Sequence, residues 1–319
     1  MAYGGFSLPA EKLNIEDIMG IPLIEAYGHY MKEMIKISKA PDKIDETNIY
    51  QESNPALLEY CFKMMDETLR KDSCLGNIEN WKAFYDAVTK EGKSGVIMME
   101  HFTNIDLPSV IYLLDKHGED WSKDFAKRIV AIAGMKLNEA NPAVRCWTEA
   151  FTRVVIYPTR SLDKVENSDV SEEQIKAEAQ KAKKINFAAM RQMDSCKRKG
   201  QIILVFPSGT RYRPGHPETK RGLREIDSYL RLFDVMILVS NNGNCLRINM
   251  EKPDDMLADL VEHDKLVLTA SPVIECRKFR DEVLAALPEQ ESDPKQKTVD
   301  KVMEILEAQH EKAEAGRLA

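Results

Sequence analysis

The 319-residue chain has no apolar run long enough to cross a bilayer. Its longest, such as Gln201–Phe206 and Val235–Val239, fall far short of the roughly 20 residues that a spanning helix needs. A signal-like start is missing too, because Met1–Pro9 has neither a basic head nor an apolar core. There is no surplus of positive charge: 45 Lys and Arg against 52 Asp and Glu leave a net charge of -7. That balance argues against nucleic acid as the main partner but leaves room for a local basic pocket. Together these absences point to a cytoplasmic protein, soluble or peripheral at a membrane.

Paired cysteine spacing is absent as well. Cys61, Cys74, Cys146, Cys196, Cys245 and Cys276 are scattered, so reduced, packed thiols are expected rather than a disulfide framework. The six histidines form no H-E-x-x-H or comparable cluster, and no metal or other cofactor is expected. No Gly-x-Ser-x-Gly elbow is present, which weighs against a serine hydrolase. Neither an internal repeat nor a low-complexity linker interrupts the chain.

What is present changes character near residue 92. Before it, Ile24 to Ile37 and Ala56 to Leu69 carry apolar residues at helical spacing, which predicts a small helical domain over residues 1–90. After Gly92-Lys93-Ser94-Gly95, short apolar runs alternate with helical segments. Strands are expected at Gly95–Glu100, Arg128–Ala133, Arg153–Tyr157, Gln201–Phe206, Val235–Ser240 and Leu266–Thr269. Helices are expected around Leu107–Lys116, Pro142–Phe151, Glu172–Lys199, Leu223–Phe233 and Lys295–Gly316. The longest of these, Glu172–Lys199, opens on Ser171-Glu172-Glu173-Gln174, a capping box. Such alternation predicts an α/β fold over residues 91–319: a mixed, largely parallel sheet flanked by helices. Ligands in such sheets bind beyond the carboxyl ends of the strands.

Two segments fall at those ends. His101 follows the run Val96-Ile97-Met98-Met99, and Asp106 lies five residues on, where Pro108 opens an apolar-periodic helix. An imidazole titrates near neutrality, and a hydrogen-bonded carboxylate fixes its tautomer and favours the imidazolium, so the pair has the chemistry of a general base and its orienting partner. Alone it is ordinary polar structure. The second segment is Pro207-Ser208-Gly209-Thr210-Arg211-Tyr212-Arg213-Pro214-Gly215. Gly209 and Gly215 permit tight turns that present N–H groups to an anion. Arg211 and Arg213, two apart in an extended run, project to one side as a phosphate receptor.

His101 with Asp106, followed about a hundred residues later by Phe206-Pro207-Ser208-Gly209-Thr210-Arg211, resembles the glycerolipid acyltransferase superfamily. The Arg211-x-Arg213-Pro214 ending and the lack of membrane spans resemble its soluble, plastid-type glycerol-3-phosphate acyltransferases, which for a plant chain implies the plastid stroma, although no transit peptide is seen. The resemblance covers roughly Lys93 to Asn249; the amino-terminal part matches only in general character. It implies His101 as general base, Asp106 as its orienter, and Arg211 and Arg213 as holders of the substrate phosphate. Ile156-Tyr157-Pro158-Thr159-Arg160-Ser161 aligns where the plant enzymes carry a lysine and a histidine for that phosphate. Arg160 keeps the charge and Ser161 stands in for the histidine. Ser208, where membrane-bound relatives usually have glutamate, belongs with Gly209 and Thr210 to the loop assigned to oxyanion contacts.

The implied reaction is transfer of a fatty acyl group from acyl carrier protein or coenzyme A to the sn-1 hydroxyl of glycerol 3-phosphate, giving lysophosphatidate, with transient membrane-surface contact compatible with a lipid product. Three other readings are weighed. One is sn-2 acylation of lysophosphatidate (a 1-acylglycerol-3-phosphate acyltransferase); another is a sulfotransferase, from Ser208-Gly209-Thr210. The third is a non-catalytic acyl-carrier or phospholipid-binding module. Lys181, Lys183, Lys184, Lys197, Arg198 and Lys199 read as a solvated face, or as a surface that steers an acidic carrier protein. Phe102, Trp147 and Tyr157 read as core rather than as an acyl tunnel, and Asn241-Asn242-Gly243-Asn244 as a turn after a strand.

Overall fold

The computed structural model describes residues 15–139, 141–159, 161 and 171–317. Along the chain the strands are β1 (Tyr50–Gln51), β2 (Cys74–Gly76), β3 (Gly95–Met99), β4 (Ile129–Gly134), β5 (Arg153–Ile156), β6 (Ile202–Val205), β7 (Val235–Asn242), β8 (Leu246–Arg247), β9 (Leu260–Val261), β10 (Val267–Ala270) and β11 (Ile274–Glu275). The helices are α1 (Ile15–Ile18), α2 (Leu23–Ile37), α3 (Pro55–Thr68), α4 (Ile78–Thr89), α5 (Asp106–His117), α6 (Asp120–Arg128), α7 (Lys136–Glu139), α8 (Pro142–Glu149), α9 (Glu172–Arg198), α10 (Ile226–Leu232), α11 (Cys276–Ala285) and α12 (Pro294–Arg317).

Nine strands form one sheet in the order β1-β5-β4-β6-β3-β7-β10-β2, with β11 also pairing with β7. The central five, β5, β4, β6, β3 and β7, are parallel. Antiparallel pairing joins β1 to β5 and both β10 and β11 to β7. β3, β6 and β7 are buried at every position, as expected of parallel strands covered on both faces. Their side chains alternate between two cores. Ile97, Met99, Ile202, Leu204, Val235 and Ile237 meet α2–α6 on one side. Val96, Met98, Ile203, Val205, Met236 and Leu238 meet α9, α10 and α12 on the other. The architecture is the expected α/β, mixed and mostly parallel, with helices on both faces.

Residues 15–90 are mainly helical, but they also supply β1 and β2, one at each edge of the sheet, and their helices share the first core. The capping box of α9 forms as its sequence predicts, Ser171 accepting from the Gln174 N–H and Gln174 from the Ser171 N–H. Among the described residues no helix is long and apolar enough to cross a membrane. Because the central strands are parallel, their carboxyl ends share one edge, and β6, β3 and β7 are neighbours there.

Candidate active site

His101 leaves the end of β3, and α5 begins at Asp106, so the intervening turn folds the carboxylate back under the imidazole. His101 Nδ1 lies 2.8 Å from Asp106 Oδ2. The same oxygen accepts from the backbone N–H groups of Phe102 at 2.7 Å and Thr103 at 2.9 Å. Oδ1 accepts from Thr103 Oγ1 at 2.7 Å and from Asn241 Nδ2 at 2.8 Å. Five donors hold a carboxylate that is 2% exposed. An acceptor on Nδ1 assigns the proton to that nitrogen and leaves the Nε2 lone pair free, the tautomer a general base requires. The ring is 19% exposed and stacks on Phe206, with centroids 4.0 Å apart and planes 14° off parallel. That geometry fixes the plane of the base.

The contact with Phe206 joins the histidine segment to the arginine segment, and so do the Tyr212 N–H, which donates to the His101 carbonyl at 2.7 Å, and the edge-to-face contact of the Phe102 and Tyr212 rings. Beyond β6 the chain turns at Gly209, whose φ is +63°, and where a Cβ would run into the Leu223 side chain; it turns again at Gly215, at +78°. Both glycines thus sit where left-handed backbone demands them.

Arg211 and Arg213 each meet a carboxylate that sequence reasoning missed, Asp259 in the interior and Asp254 at the surface. Arg211, 7% exposed, forms a buried ion pair through Nη1 with Asp259 Oδ2, which also accepts from Asn104 Nδ2 at 2.9 Å. Asn104 belongs to the His101–Asp106 turn, so Asp259 ties both motifs together. Arg213, 31% exposed, pairs at 2.9 Å with Asp254, which is 86% exposed. An exposed pair of that kind is worth about 0–1 kcal/mol and yields readily to another anion. Arg160 lies outside the described residues. Ser161 is buried, its N–H donating to the Pro158 carbonyl at 2.9 Å.

Within the loop, Ser208 is buried and gives its hydroxyl to the Thr210 carbonyl at 2.6 Å, while the Gly209 N–H donates to the Phe206 carbonyl at 2.9 Å. Those two donors are committed inside the turn and are not free for an oxyanion. Thr210 is half-buried, and among the described residues neither its N–H nor its hydroxyl has an acceptor.

The neighbouring strand adds a second layer. Asn241 and Asn242 are not a turn but the last residues of β7, and the chain turns only at Gly243, with φ +101°. The Asn241 N–H donates to Glu100 Oε2 at 3.0 Å, and His310 Nδ1 on α12 meets that oxygen at 2.8 Å. Burial pushes the Glu100 carboxyl up, and the hydrogen bond to Glu100 raises His310. Phe102 lies against the rings of Tyr212 and His310. Trp147 lines a cavity of about 10 Å³ behind Ile105, room for one water, and Tyr157 belongs to the opposite core. The three aromatics therefore pack separately and line no common channel. A wide cleft of about 1330 Å³ opens between α2, α3, α5 and β2. It includes none of these site residues, and size alone does not assign it a role in this chemistry.

Burial outweighs Arg211, the Asn249 N–H and Asn104 at Asp259, pushing its carboxyl from the ordinary 3.8 up to about 6. The folded state then binds this proton more readily than the unfolded chain. Its contribution to stability is greatest below about pH 4 and declines as pH rises to about 6, by roughly 3 kcal/mol at most. Urea unfolding of wild type and Asp259→Asn across that interval should show the variant lacking this decline. Parallel pH profiles would remove the assignment.

A scan against protein-family models found no match for the chain, and a search of curated proteins found none either.

Proposed function

We propose that the chain is a glycerol-3-phosphate acyltransferase, moving a fatty acyl group from an acyl-carrier-protein or coenzyme A thioester to the sn-1 hydroxyl of glycerol 3-phosphate. One observation carries this reading. The His101 turn and the arginine loop, a hundred residues apart in sequence, meet through the Phe206 ring and the Tyr212 N–H. A base and an anion receptor side by side are what acylation of a phosphorylated alcohol requires. The motif resemblance supplies the substrate class.

In this mechanism His101 Nε2 removes the hydroxyl proton as the oxygen attacks the thioester carbonyl. The tetrahedral intermediate collapses, the carbon–sulfur bond breaks, and the imidazolium returns its proton to the departing thiolate. Asp106 balances the charge on the ring throughout. A thioester is already activated, so no covalent acyl-enzyme is needed. Arg213, Arg160 and the outer N–H groups of Arg211 take the phosphate, using binding energy remote from the reacting carbon to orient the hydroxyl. The Thr210 N–H is the loop donor assigned to the oxyanion. The enzyme works in the cytoplasm or at a membrane surface in this reading.

Incubating the purified protein with labelled glycerol 3-phosphate and either thioester should yield labelled lysophosphatidate. Binding without turnover would reduce the chain to a binding module, and product only from lysophosphatidate would move the acceptor to the sn-2 position. Arg213→Ala should weaken glycerol 3-phosphate binding roughly tenfold or more, the scale of a lost hydrogen bond to a charged group. Thioester affinity and the urea midpoint should stay near wild type. Unchanged calorimetric affinity for glycerol 3-phosphate would reject the anion-site assignment.

A further inference from the structure

Helix α9 buries Ala182, Ile185, Ala189, Met193 and Cys196, a stripe at the spacing of one helical face. Its first ten residues, 172–181, contribute nothing to the core. Asn186 is pinned just past the end of β5, its side chain exchanging hydrogen bonds with the Tyr157 N–H at 2.9 Å and carbonyl at 3.0 Å. The amino-terminal half of α9 therefore projects beyond the same edge that carries His101.

The face opposite the buried stripe is unusual for this molecule. Phe187 is 53% exposed and Met190 57% exposed, three residues apart and so adjacent on the surface. Arg191 lies over the Phe187 ring, 4.5 Å from its centroid. Lys183 and Lys184 are exposed and have no ion-pair partner among the described residues. From Ala179 to Met193 the sequence has Lys181, Lys183, Lys184 and Arg191 and no acidic residue at all, in a chain whose net charge is -7.

We propose that this outer face of α9 docks on an anionic lipid bilayer, with Phe187 and Met190 entering the headgroup layer and Lys183, Lys184 and Arg191 meeting lipid phosphates. Two large apolar side chains on the crest of a convex helix, flanked by cations whose stems can lie along them, match the interfacial mode of membrane binding. Exposed apolar side chains ringed by cations suit a layer with an apolar interior beneath a phosphate surface, and the bilayer is therefore the occupant proposed. Docking of this kind is independent of the reaction the site performs.

Full-length protein mixed with vesicles of equal parts phosphatidylcholine and phosphatidylglycerol should float with them, and with pure phosphatidylcholine should not. Raising salt from 0.1 M to 1 M, where screening tightens from about 10 Å to about 3 Å, should release it. Phe187→Ser with Met190→Ser should weaken partitioning roughly tenfold or more, and Lys183→Glu with Lys184→Glu by at least that much. All four positions are exposed, so matching thermal unfolding curves are expected for both variants. No partitioning of wild type into the mixed vesicles would overturn the proposal, as would both variants floating like wild type. Loss of acidic carrier-protein binding in these variants, with vesicles ignored, would make the face a protein-docking surface and end the lipid assignment.

Discussion

Replacing His101 with alanine is expected to reduce turnover by roughly a hundredfold or more, the scale on which general bases contribute, while glycerol 3-phosphate still binds. The reason lies in how the site divides its labour. Asp106 has all five of its contacts turned inward, and Glu100 is committed to Asn241 and His310. Nε2 of His101 is the basic atom presented at the meeting of the two motifs. Removing a ring that is 19% exposed leaves a gap that solvent can enter, so the fold should survive. Asp106→Asn would be a poorer test. An amide there would set its NH₂ against the N–H groups of Phe102 and Thr103 or the Asn241 amide, and unpaired donors in so buried a place cost about 1–3 kcal/mol each. Its activity would mix chemistry with unfolding. The measurement is steady-state turnover at saturating substrates alongside calorimetric affinity for glycerol 3-phosphate. Near-normal turnover in the alanine variant would remove His101 as the base.

The sheet was legible because its central strands are continuous apolar runs. β3, β6 and β7 begin within about a residue of where their runs begin, since a parallel strand buried on both faces has no polar alternation to blur it. Segments that bury little left no such signal. α6 buries only Ser122, Phe125 and Ala126, and α11 only Cys276, so neither carries a stripe wide enough to read as helix. β1, β8, β9 and β11 are two residues long, too short for any period. The site divides the same way. His101 and Asp106 are close in sequence and form a local motif, whereas Asp259 is 48 residues from Arg211 and joins it only through tertiary packing. Asn241 was hidden by its neighbours: Asn-Asn-Gly is turn chemistry. Only Gly243 turns, while Asn241 stays in β7 and gives its amide to Asp106.

Arg211→Ala is expected to destabilise the protein by about 3–5 kcal/mol, the usual consequence of leaving a buried charge without its partner. Asp259 is fully buried, and without the guanidinium it keeps, among the described residues, Asn104 and the Asn249 N–H to stabilise its charged form. Arg213→Ala, removing an exposed pair, should change the urea midpoint little. The two arginines would look equivalent in an activity assay alone, because both are assigned to phosphate. They separate on stability. The Arg211→Ala deficit should shrink as pH falls, since a protonated carboxyl no longer needs a guanidinium. Joint replacement by Arg211→Met and Asp259→Leu should recover most of the lost stability, because apolar residues of similar volume often match or exceed a buried ion pair. Urea unfolding of the single and double variants at two pH values measures each of these effects. An Arg211→Ala protein as stable as wild type would mean the pair contributes nothing to the fold, and Arg211 would then be free for substrate from the start. With the loss observed, Arg211 is first a strut that joins the arginine loop to the histidine turn through Asp259 and Asn104. In the proposed reaction the guanidinium would then meet phosphate from a position that this pair sets.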